Sequence, residues 1–446
     1  MNDPQFLRTR AEEGIAVRRW IVLTILMVAL IFAQLDRLML SALIESIKHT
    51  LALSDRELGV LQGGAFGLFY TLMGLPLGLL ADRWSNRGTI VLGYLVWSFA
   101  AFMSGFVGNY PLLLAARVGV GAGEAALSPA GYSLIRQYFP PARLSLAISL
   151  FQMGSVFGLS SAFAVVGALQ GWFNRPGVRA GLPSGYENWQ LTFMVLGAAG
   201  LAFLPALFLL RDLKSGSTPR VAQGGTRLLP FLKQQSGTLV PLFLGMAGVI
   251  VVVYAVIGWL SAIFSREFGW GPARLGPIYG GIVLVASSIG IIGGGWLTDW
   301  VNQRTNGRAH LSVPLGVCAA LLPLILLLAT LRSPAGILVV VTAIHVIAFL
   351  PLSVAPTFAQ SWAPPELKAQ ISAIYILFVN GLSLGVAPVA IGFLSASANL
   401  GAYSLRFAVS IVTGGMLTMS FLLLLTLRRR DRQRATQGET VARSGV

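Results

Sequence analysis

Four ionisable residues stand inside long stretches of sequence that are otherwise apolar: Asp36, Arg37, Arg117 and Glu124. A charge at the middle of a bilayer costs at least ~2.5–3.5 kcal/mol on insertion scales, so such side chains usually face a partner or a wet cavity. Arg117 and Glu124 are seven residues apart, which places them on one face of a helix, about two turns from each other. Asp36 is their expected partner. Arg37 is the next residue on the same helix, so it points about 100° away from Asp36 around the helix axis. We expect these groups to line one cavity, with a fixed salt-bridge network between helices as the alternative.

This set of charges could move a proton. Desolvation raises the pKa of a carboxyl group, and a nearby arginine lowers it. A carboxyl whose contact with an arginine changes as a cavity opens can therefore bind and release a proton. Asp36 and Glu124 are the candidates for proton coupling, with Arg37 and Arg117 as their charge partners or substrate ligands.

Other polar side chains on the apolar stretches could line the same cavity: Tyr70, Gln152, His345, Tyr375 and Asn380. For His345, a histidine with its hydrogen bonds satisfied inside a helix bundle is an equally good interpretation. No H-E-x-x-H, Walker A or EF-hand pattern occurs. The one cysteine, Cys318, excludes a disulfide framework and a cysteine-based metal site. We therefore expect no catalytic residue, no metal and no cofactor, and a protein that is not an enzyme.

The elements that hold these residues must be membrane helices. Of the 446 residues, 55% are hydrophobic and only 11% are charged, whereas an ordinary soluble domain is about a quarter charged. This composition excludes a cytosolic enzyme and a disordered chain, and it predicts an all-α membrane protein with twelve helices. Helix 1 is expected at Trp20–Ile44 without cleavage, and helix 4 from Pro111 to about Ile135. Helix 3 begins at Gly88, and helices 2 and 5 to 12 occupy Leu58–Ala81, Leu144–Asn174, Asn188–Leu210, Gln234–Ser265, Leu275–Thr298, Ala309–Leu331, Ser333–Pro365, Ala369–Leu405 and Phe407–Leu427.

Lysine and arginine indicate the orientation. The formal net charge is +16, and with the N-terminus inside, 22 of the 32 cationic residues are cytoplasmic against eight outside. This bias predicts that both termini are cytoplasmic, in a cytoplasmic (inner) membrane. The excess charge is thus a topology signal and not a nucleic-acid footprint. The cluster Arg428–Arg434 is expected to be a stop-transfer signal, with contact to anionic membrane lipid as the alternative.

The sequence also predicts two halves. The polar segment Leu213–Gln235 divides the helices six and six, which gives an N-terminal half at 1–212, a linker at 213–235, a C-terminal half at 236–427 and a basic tail at 428–446. Gly78–Arg83 closes helix 2 and the similar Gly295–Trp300 closes helix 8, so that Asp82 and Asp299 are 217 residues apart. Repeated halves are typical of rocking transporters, whose site lies between the halves.

Several short motifs resemble those of a known family of transporters. Gly78-x-x-Ala81-Asp82-Arg83-x-x-x-Arg87-Gly88 is similar to the loop signature between helices 2 and 3 of the major facilitator superfamily, and Arg117-Val118-Gly119-Val120-Gly121 resembles its helix-4 motif. Within that superfamily, several runs look like the spinster-type lipid transporters and their bacterial relatives: Leu35-Asp36-Arg37-x-x-Leu40, Leu53-Ser54-Asp55, Leu75-Pro76-x-Gly78 and Gly121-Ala122-Gly123-Glu124-Ala125-Ala126-x-x-Pro129-Ala130. The resemblance implies a gating motif of Gly78, Asp82, Arg83, Arg87 and Asp299, although Trp300 stands where the first half has Arg83.

The resemblance also implies what the four intramembrane charges do, namely proton coupling and response to substrate. The leading hypothesis is a monomeric secondary transporter that works by alternating access, is coupled to protons, and moves an amphipathic lipid-like molecule of the lysolipid or sphingoid type. An organic-anion symporter of the same superfamily, in which Arg37 or Arg117 grips a carboxylate, is the alternative. A facilitator whose transport is not coupled to protons is the third hypothesis.

Three local patterns predict packing instead of chemistry. Glycines beside Glu124 (Gly119, Gly121, Gly123) and in helix 11 (Gly381, Gly385) should let helices approach closely. Pro388 should kink helix 11. Ser54-Asp55-Arg56-Glu57 is a capping box that opens helix 2.

Overall fold

The computed structural model describes residues 4–213, 225–305, 309–353, 364, 367–398 and 401–444. Within those ranges every regular element is a helix. Residues 214–224 of the predicted linker lie outside them, and residues 225–235 already belong to the next helix, which begins at Gly225. Nine membrane helices are single segments: helix 1 Pro4–Leu51, helix 3 Asn86–Ser104, helix 5 Pro141–Phe173, helix 6 Asn188–Leu207, helix 7 Gly225–Phe268, helix 8 Pro272–Thr305, helix 9 Ala309–Thr330, helix 10 Pro334–Phe349 and helix 12 Ser404–Ser444.

Ten helices in the described part of the chain are long and apolar enough to cross a membrane. They correspond to ten of the twelve predicted spans. The other two predicted spans are helix 10, which is a shorter apolar helix, and helix 4, which is divided in two. Helix 1 runs without a break through Asp36 and Arg37, as the sequence predicts.

Helix 4 differs from the prediction of one helix from Pro111 to about Ile135. It consists of Tyr110–Glu124 and Leu127–Tyr138, separated by a turn at Ala125 and Ala126. Pro129 explains the break, because a proline ring clashes with the carbonyl four residues before it and provides no backbone N–H. The break leaves Glu124 as the last residue of the first segment.

Helices 2 and 11 each contain a wider, π-helical turn. Helix 2 consists of Asp55–Gly59, the π-helical Val60–Ala65 and Phe66–Arg83. Helix 11 consists of Lys368–Asn380, the π-helical Gly381–Val386 and Ala387–Ser397, so the irregularity expected from Pro388 takes the form of a bulge just before it. π-helical turns are rare and occur frequently at functional sites.

Glycines bring helices into backbone contact where the sequence predicts it. A Cβ on Gly121 would lie 2.5 Å from the carbonyl oxygen of Phe66, and a Cβ on Gly123 would lie 2.6 Å from that of Gly93. A Cβ on Gly63 would lie 2.5 Å from the carbonyl oxygen of Gly385. The π-helical turns of helices 2 and 11 therefore touch through their backbones.

The chain folds as two compact units. The first unit comprises Met1–Ser54, Ala65–Arg220 and Trp270–Leu284, and the second comprises Asp55–Gly64, Val221–Gly269 and Val285–Val446. The start of helix 2 thus belongs to the second unit and the start of helix 8 to the first. In the first unit, a Cβ on Gly167 of helix 5 would lie 2.7 Å from the carbonyl oxygen of Pro272 at the start of helix 8. Helices 2 and 8 occupy equivalent places in the predicted repeat. Helix 2 begins in the second unit, which holds most of helix 8, and helix 8 begins in the first unit, which holds most of helix 2.

Candidate functional site

A buried ion pair links helix 1 to helix 4 inside the first unit. Arg37 donates to Oε2 of Glu124 from Nη2 at 2.7 Å and from Nε at 3.2 Å. The Arg37 side chain is 12% exposed, whereas that of Glu124 is fully buried. Among the described residues, the exposed part of the pair is therefore its arginine.

The expectation that Asp36 is the partner of the helix-4 charges was wrong for Glu124, whose partner is Arg37. Arg117 is 1% exposed and donates from Nη1 to the backbone oxygen of Asp36 and from Nη2 to that of Arg37, each at 3.4 Å. The physical reason is the rotation of helix 1, which directs the longer Arg37 side chain to Glu124. Two predicted residues, Arg37 and Glu124, thus form the pair, and the other two lie beside it.

Asp36 is 1% exposed, and neither of its carboxylate oxygens has a hydrogen-bond partner among the residues described. Arg117 and Glu124 are within electrostatic range of it. The indole Nε1 of Trp97 lies near the Asp36 carboxyl, but the pair does not reach hydrogen-bond geometry. Asp36 is therefore a buried acid that faces helix 3 and has no fixed partner in this part of the chain.

Two stacked aromatic rings complete the cluster. The rings of Phe66 and Tyr70 on helix 2 are 5.6 Å apart between centroids. The Arg37 guanidinium lies 4.9 Å from the Phe66 centroid and 4.8 Å from the Tyr70 centroid, and that of Arg117 lies 5.4 Å from Phe66. These are cation–π distances. Tyr70 was a predicted cavity residue, whereas nothing in the sequence singled out Phe66.

Tyr375 and His345 pack inside the second unit. Tyr375 is 4% exposed and meets the ring of Phe243 edge-on at 5.4 Å. His345 is 1% exposed, its Nδ1 lies 2.9 Å from the backbone oxygen of Val341, and its ring stacks on Phe349. This arrangement favours the bundle histidine over the cavity histidine.

Gln152 and Asn380 have no partner that would place them at the charge cluster. Gln152 is exposed on helix 5 and Asn380 is half-buried in helix 11. Neither side chain makes a hydrogen bond to another described residue. The structure thus brings Tyr70 alone, of the five predicted cavity residues, into contact with the charges.

Of the five predicted gating residues, Asp82, Arg83 and Arg87 lie at the ends of helices 2 and 3, whereas Gly78 and Asp299 lie inside helices 2 and 8. Asp82, Arg83 and Asp299 are exposed and make no ion pair with any residue for which the structure gives a position. Gly78 lies beside Pro129, because a Cβ on it would be 3.7 Å from the proline Cβ. The guanidinium of Arg87 lies 5.7 Å from the Phe208 centroid.

A carboxylate that the sequence analysis missed lies next to this motif. Asp212 accepts a hydrogen bond from Ser85 Oγ at 2.6 Å and another from the backbone N–H of Arg87 at 3.3 Å. An acid at the N-terminus of helix 3 is favourable, because the helix dipole is positive there. Ser85 and Asp212 are 127 residues apart, and no local pattern joins them.

Asp55 is a second missed residue, in the second unit. It accepts from Arg266 of helix 7 through both carboxylate oxygens at 2.8 Å and from Ser395 Oγ of helix 11 at 2.6 Å. Side-chain exposure is 8% for Asp55 and 15% for Arg266. A residue that the sequence predicted only as part of a capping box thus joins the first turn of helix 2 to helices 7 and 11.

Comparison with known proteins identifies the family. The sequence model of the Major Facilitator Superfamily matches residues 26–388. The chain belongs to this superfamily. The expected fold, an all-α membrane protein of the major facilitator type with twelve helices in two halves, is confirmed, and so is the transporter class.

Individual relatives agree with this assignment. An "MFS-type efflux pump" of Mycolicibacterium smegmatis (strain ATCC 700084 / mc(2)155) is 28% identical over 425 residues, which cover 90% of either chain. A "Probable L-galactonate transporter" of Escherichia coli (strain K12) is 25% identical over 291 residues, which cover 62% of this chain and 61% of that one.

Among solved structures, a bacterial homologue of the human lysosomal transporter Spinster, in an inward-facing and unoccupied conformation, has a TM-score of 0.80. It is 23% identical, and the match covers 92% of this chain and 97% of the homologue. The resemblance to spinster-type transporters that the sequence motifs indicate is therefore confirmed at the level of the fold.

Proposed function

We propose that this major facilitator is a proton-coupled secondary transporter that works by alternating access, with Asp36 and Glu124 as its proton-binding groups. The observation that carries the proposal is the Arg37–Glu124 pair, in which a buried carboxylate holds an arginine that remains partly exposed. Arg37 is thus shared between an acid that can be protonated and the space into which its exposed face opens.

The coupling follows from the charge of Glu124. While Glu124 is ionised, it holds Arg37 through two hydrogen bonds to one oxygen. Protonation removes that charge and weakens both bonds, because hydrogen bonds between ionised partners are roughly twice as strong as neutral ones. The released Arg37 can then bind an acidic group of a substrate. Binding of a proton and binding of an anionic headgroup would therefore favour each other.

The proposed substrate is amphipathic, with an anionic headgroup and an apolar body of the lysolipid or sphingoid type. Phe66 and Tyr70 support this choice, because they surround the Arg37 cation with aromatic surface. The resemblance to spinster-type transporters supports it independently.

An organic-anion symporter is the second candidate. The relative named as an L-galactonate transporter favours it, because galactonate carries a carboxylate that Arg37 could bind in the same way. The two candidates differ in the apolar tail of the substrate.

We further propose that Asp55, Arg266 and Ser395 close the extracellular ends of helices 2, 7 and 11, given the predicted orientation with both termini in the cytoplasm. Opening toward the outside would break this contact. Asp82, Arg83, Arg87 and Asp299 would then form the bridging contacts of the cytoplasmic ends, between halves at 1–212 and 236–427. The protein would act as a monomer in the inner membrane.

Substrate binding to the purified protein tests the proposal directly. Lysolipids and short organic anions such as galactonate are screened for the shift that each causes in thermal unfolding, since a ligand of the native state stabilises it in proportion to occupancy. We expect a shift with lysolipids that carry an acidic headgroup, and proton uptake on binding in weakly buffered solution. Stabilisation by galactonate but not by lysolipids would favour the organic-anion symporter. Binding without any proton uptake would contradict the coupling.

A further inference from the structure

Helix 3 presents three fully buried polar side chains whose polar atoms have no hydrogen-bond partner in the described part of the chain. They are Tyr94, Trp97 and Ser98, each 0% exposed, and the atoms are the Tyr94 hydroxyl, Trp97 Nε1 and Ser98 Oγ. Neither carboxylate oxygen of Asp36 has a partner either. More than nine in ten buried polar groups in proteins are hydrogen-bonded to protein or to ordered water. Four such side chains together require an explanation.

These side chains are close to one another. The ring centroids of Tyr94 and Trp97 are 4.5 Å apart, and Ser98 lies one helical turn after Tyr94. Asp36 lies beside the Trp97 indole and is within electrostatic range of Tyr94, and the Tyr94 hydroxyl lies near Ser98 Oγ; neither the Asp36–Trp97 pair nor the Tyr94–Ser98 pair reaches hydrogen-bond geometry. The unpartnered atoms therefore belong to one polar cluster between helices 1 and 3.

Helix 6 packs closely against the two hydroxyls of this cluster. Gly200 is buried, and a Cβ on it would lie 3.2 Å from Ser98 Oγ and 3.8 Å from the Tyr94 hydroxyl. A methyl group at this position would therefore crowd the Ser98 hydroxyl and change the surroundings of both hydroxyls. At most other tightly packed glycines of this chain the nearest atoms are backbone or carbon atoms, whereas here they are mainly polar oxygens.

We propose that helices 1, 3 and 6 enclose a site for bound water, with the Asp36 carboxyl, Trp97 Nε1, Ser98 Oγ and the Tyr94 hydroxyl as its ligands. The chemistry of the ligands is complementary to water. An indole N–H can only donate, an ionised carboxylate can only accept, and the two hydroxyls can do both. A buried water typically makes about three hydrogen bonds to groups of this kind.

The consequence for transport rests on the proposed function. Water at this site gives Asp36 a route for its proton that Arg37 does not provide: the carboxyl O–H bond breaks, the proton joins a water oxygen, and the carboxylate that remains is stabilised by Arg117. The charged and titratable groups around Asp36 are Arg37, Arg117, Glu124 and Tyr94. Two proton-binding groups would then have separate surroundings, with Glu124 on the arginine and aromatic side and Asp36 on the water side.

Infrared difference spectra between two pH values, recorded in ordinary water and in water labelled with heavy oxygen, test for the site. We expect a water O–H band that shifts with the oxygen isotope in the wild-type protein. Ser98→Ala and Gly200→Ala should each remove or displace it. Ser287→Ala is the matched control, because Ser287 is also fully buried with an unpartnered hydroxyl but belongs to the second unit. It should leave the band unchanged.

Thermal unfolding of the same variants gives an independent result. Removal of a dry, unpaired hydroxyl stabilises a protein or leaves its stability unchanged, whereas loss of a water ligand destabilises it. We expect Ser98→Ala to lower the melting temperature relative to Ser287→Ala. Equal effects of the two substitutions, or the absence of any isotope-sensitive band that Ser98→Ala removes, would overturn the water site. Proton-independent transport by a protein that keeps the band would instead overturn the proposed function.

Discussion

Arg37 and Glu124 form a pair in which the carboxylate is fully buried while the arginine keeps 12% of its side chain exposed. The same guanidinium lies 4.8 Å from the Tyr70 ring. The Arg37 guanidinium is thus held by a carboxylate on helix 4 and by an aromatic ring on helix 2. Release from the carboxylate or from the ring would free the guanidinium to bind another group. This asymmetry makes Arg37 the proposed link between proton and substrate.

Arg37→Lys should weaken substrate binding without unfolding the protein. Lysine keeps the positive charge but loses the planar guanidinium, which stacks on rings and binds carboxylates through two parallel bonds. We expect about a tenfold rise in the dissociation constant for the ligand found by thermal shift, which corresponds to about 1.4 kcal/mol. Arg56→Lys is the matched control, because Arg56 also lies over an aromatic ring, that of Phe393 at 5.0 Å, but in the second unit. Equal loss of affinity in both variants would show that Arg37 has no special role.

Asp55 and Arg266 should be energetically coupled. A double-mutant cycle with Asp55→Asn, Arg266→Gln and both together measures the coupling from chemical or thermal unfolding. Because the pair is bidentate and mostly buried, we expect a coupling free energy of about 0.5–3 kcal/mol. The single variants should also raise the labelling rate of a cysteine placed near the extracellular end of helix 11. Additive effects of the two substitutions would contradict a closing contact at this end.

Neighbouring glycines of helix 2 should differ sharply in their tolerance of alanine. A Cβ on Gly63 would lie 2.5 Å from the carbonyl oxygen of Gly385, which cannot move without shifting helix 11. A Cβ on Gly64 would meet Val60 Cγ1 at 3.4 Å, which is an ordinary contact. Gly63→Ala should therefore lower the melting temperature by several degrees, and Gly64→Ala should change it little. The same melting temperature in the two variants would mean that helices 2 and 11 are not in backbone contact in the membrane.

The orientation can be checked with single cysteines in a Cys318→Ala background. The positive-inside bias places the segment Leu213–Gln235 in the cytoplasm, so Ser217→Cys should resist an impermeant thiol reagent in intact cells. Ser184→Cys, between helices 5 and 6, is exposed and should be labelled from outside. The opposite labelling pattern would reverse the orientation and every statement about extracellular ends.

Much of the fold could be predicted because it depends on local signals. Charge-free stretches indicate the spans, and the glycines beside Glu124 predict the close approach that Gly121 makes to Phe66. The break in helix 4 was not predicted, because the apolar pattern indicates a continuous helix. Pro129 was the available signal, since a proline cannot donate the helical hydrogen bond to the carbonyl of Ala125.

The site could be predicted only in part. Four charges inside spans identified the cluster, yet the choice between Asp36 and Arg37 as partner of Glu124 depends on the rotation of helix 1, which periodicity does not give. Asp55 and Arg266 are 211 residues apart, and a capping pattern at Ser54–Glu57 already explained Asp55. Tyr375 and His345 carry polar atoms on apolar helices, and only the packing shows that they face Phe243 and Phe349.

Gradient-driven transport by variants of the two carboxyls tests the central claim most directly. Glu124→Gln and Asp36→Asn keep the size of each side chain and fix it in the neutral state. The control is Glu267→Gln, because Glu267 is also a buried acid paired with an arginine, Arg406 at 3.0 Å, but in the second unit. Glu267→Gln should lower the stability of the protein, since breaking a buried pair costs ~3–5 kcal/mol. The correctly folded fraction of this variant should keep its response to a pH gradient.

The decisive measurement is uptake of the identified substrate into vesicles with and without a pH gradient by the Asp36→Asn, Glu124→Gln double variant. We predict that the gradient no longer drives accumulation, while exchange of labelled for unlabelled substrate continues, because exchange needs no net movement of protons. Gradient-driven accumulation at the wild-type rate would contradict the claim that these carboxyls couple protons to substrate.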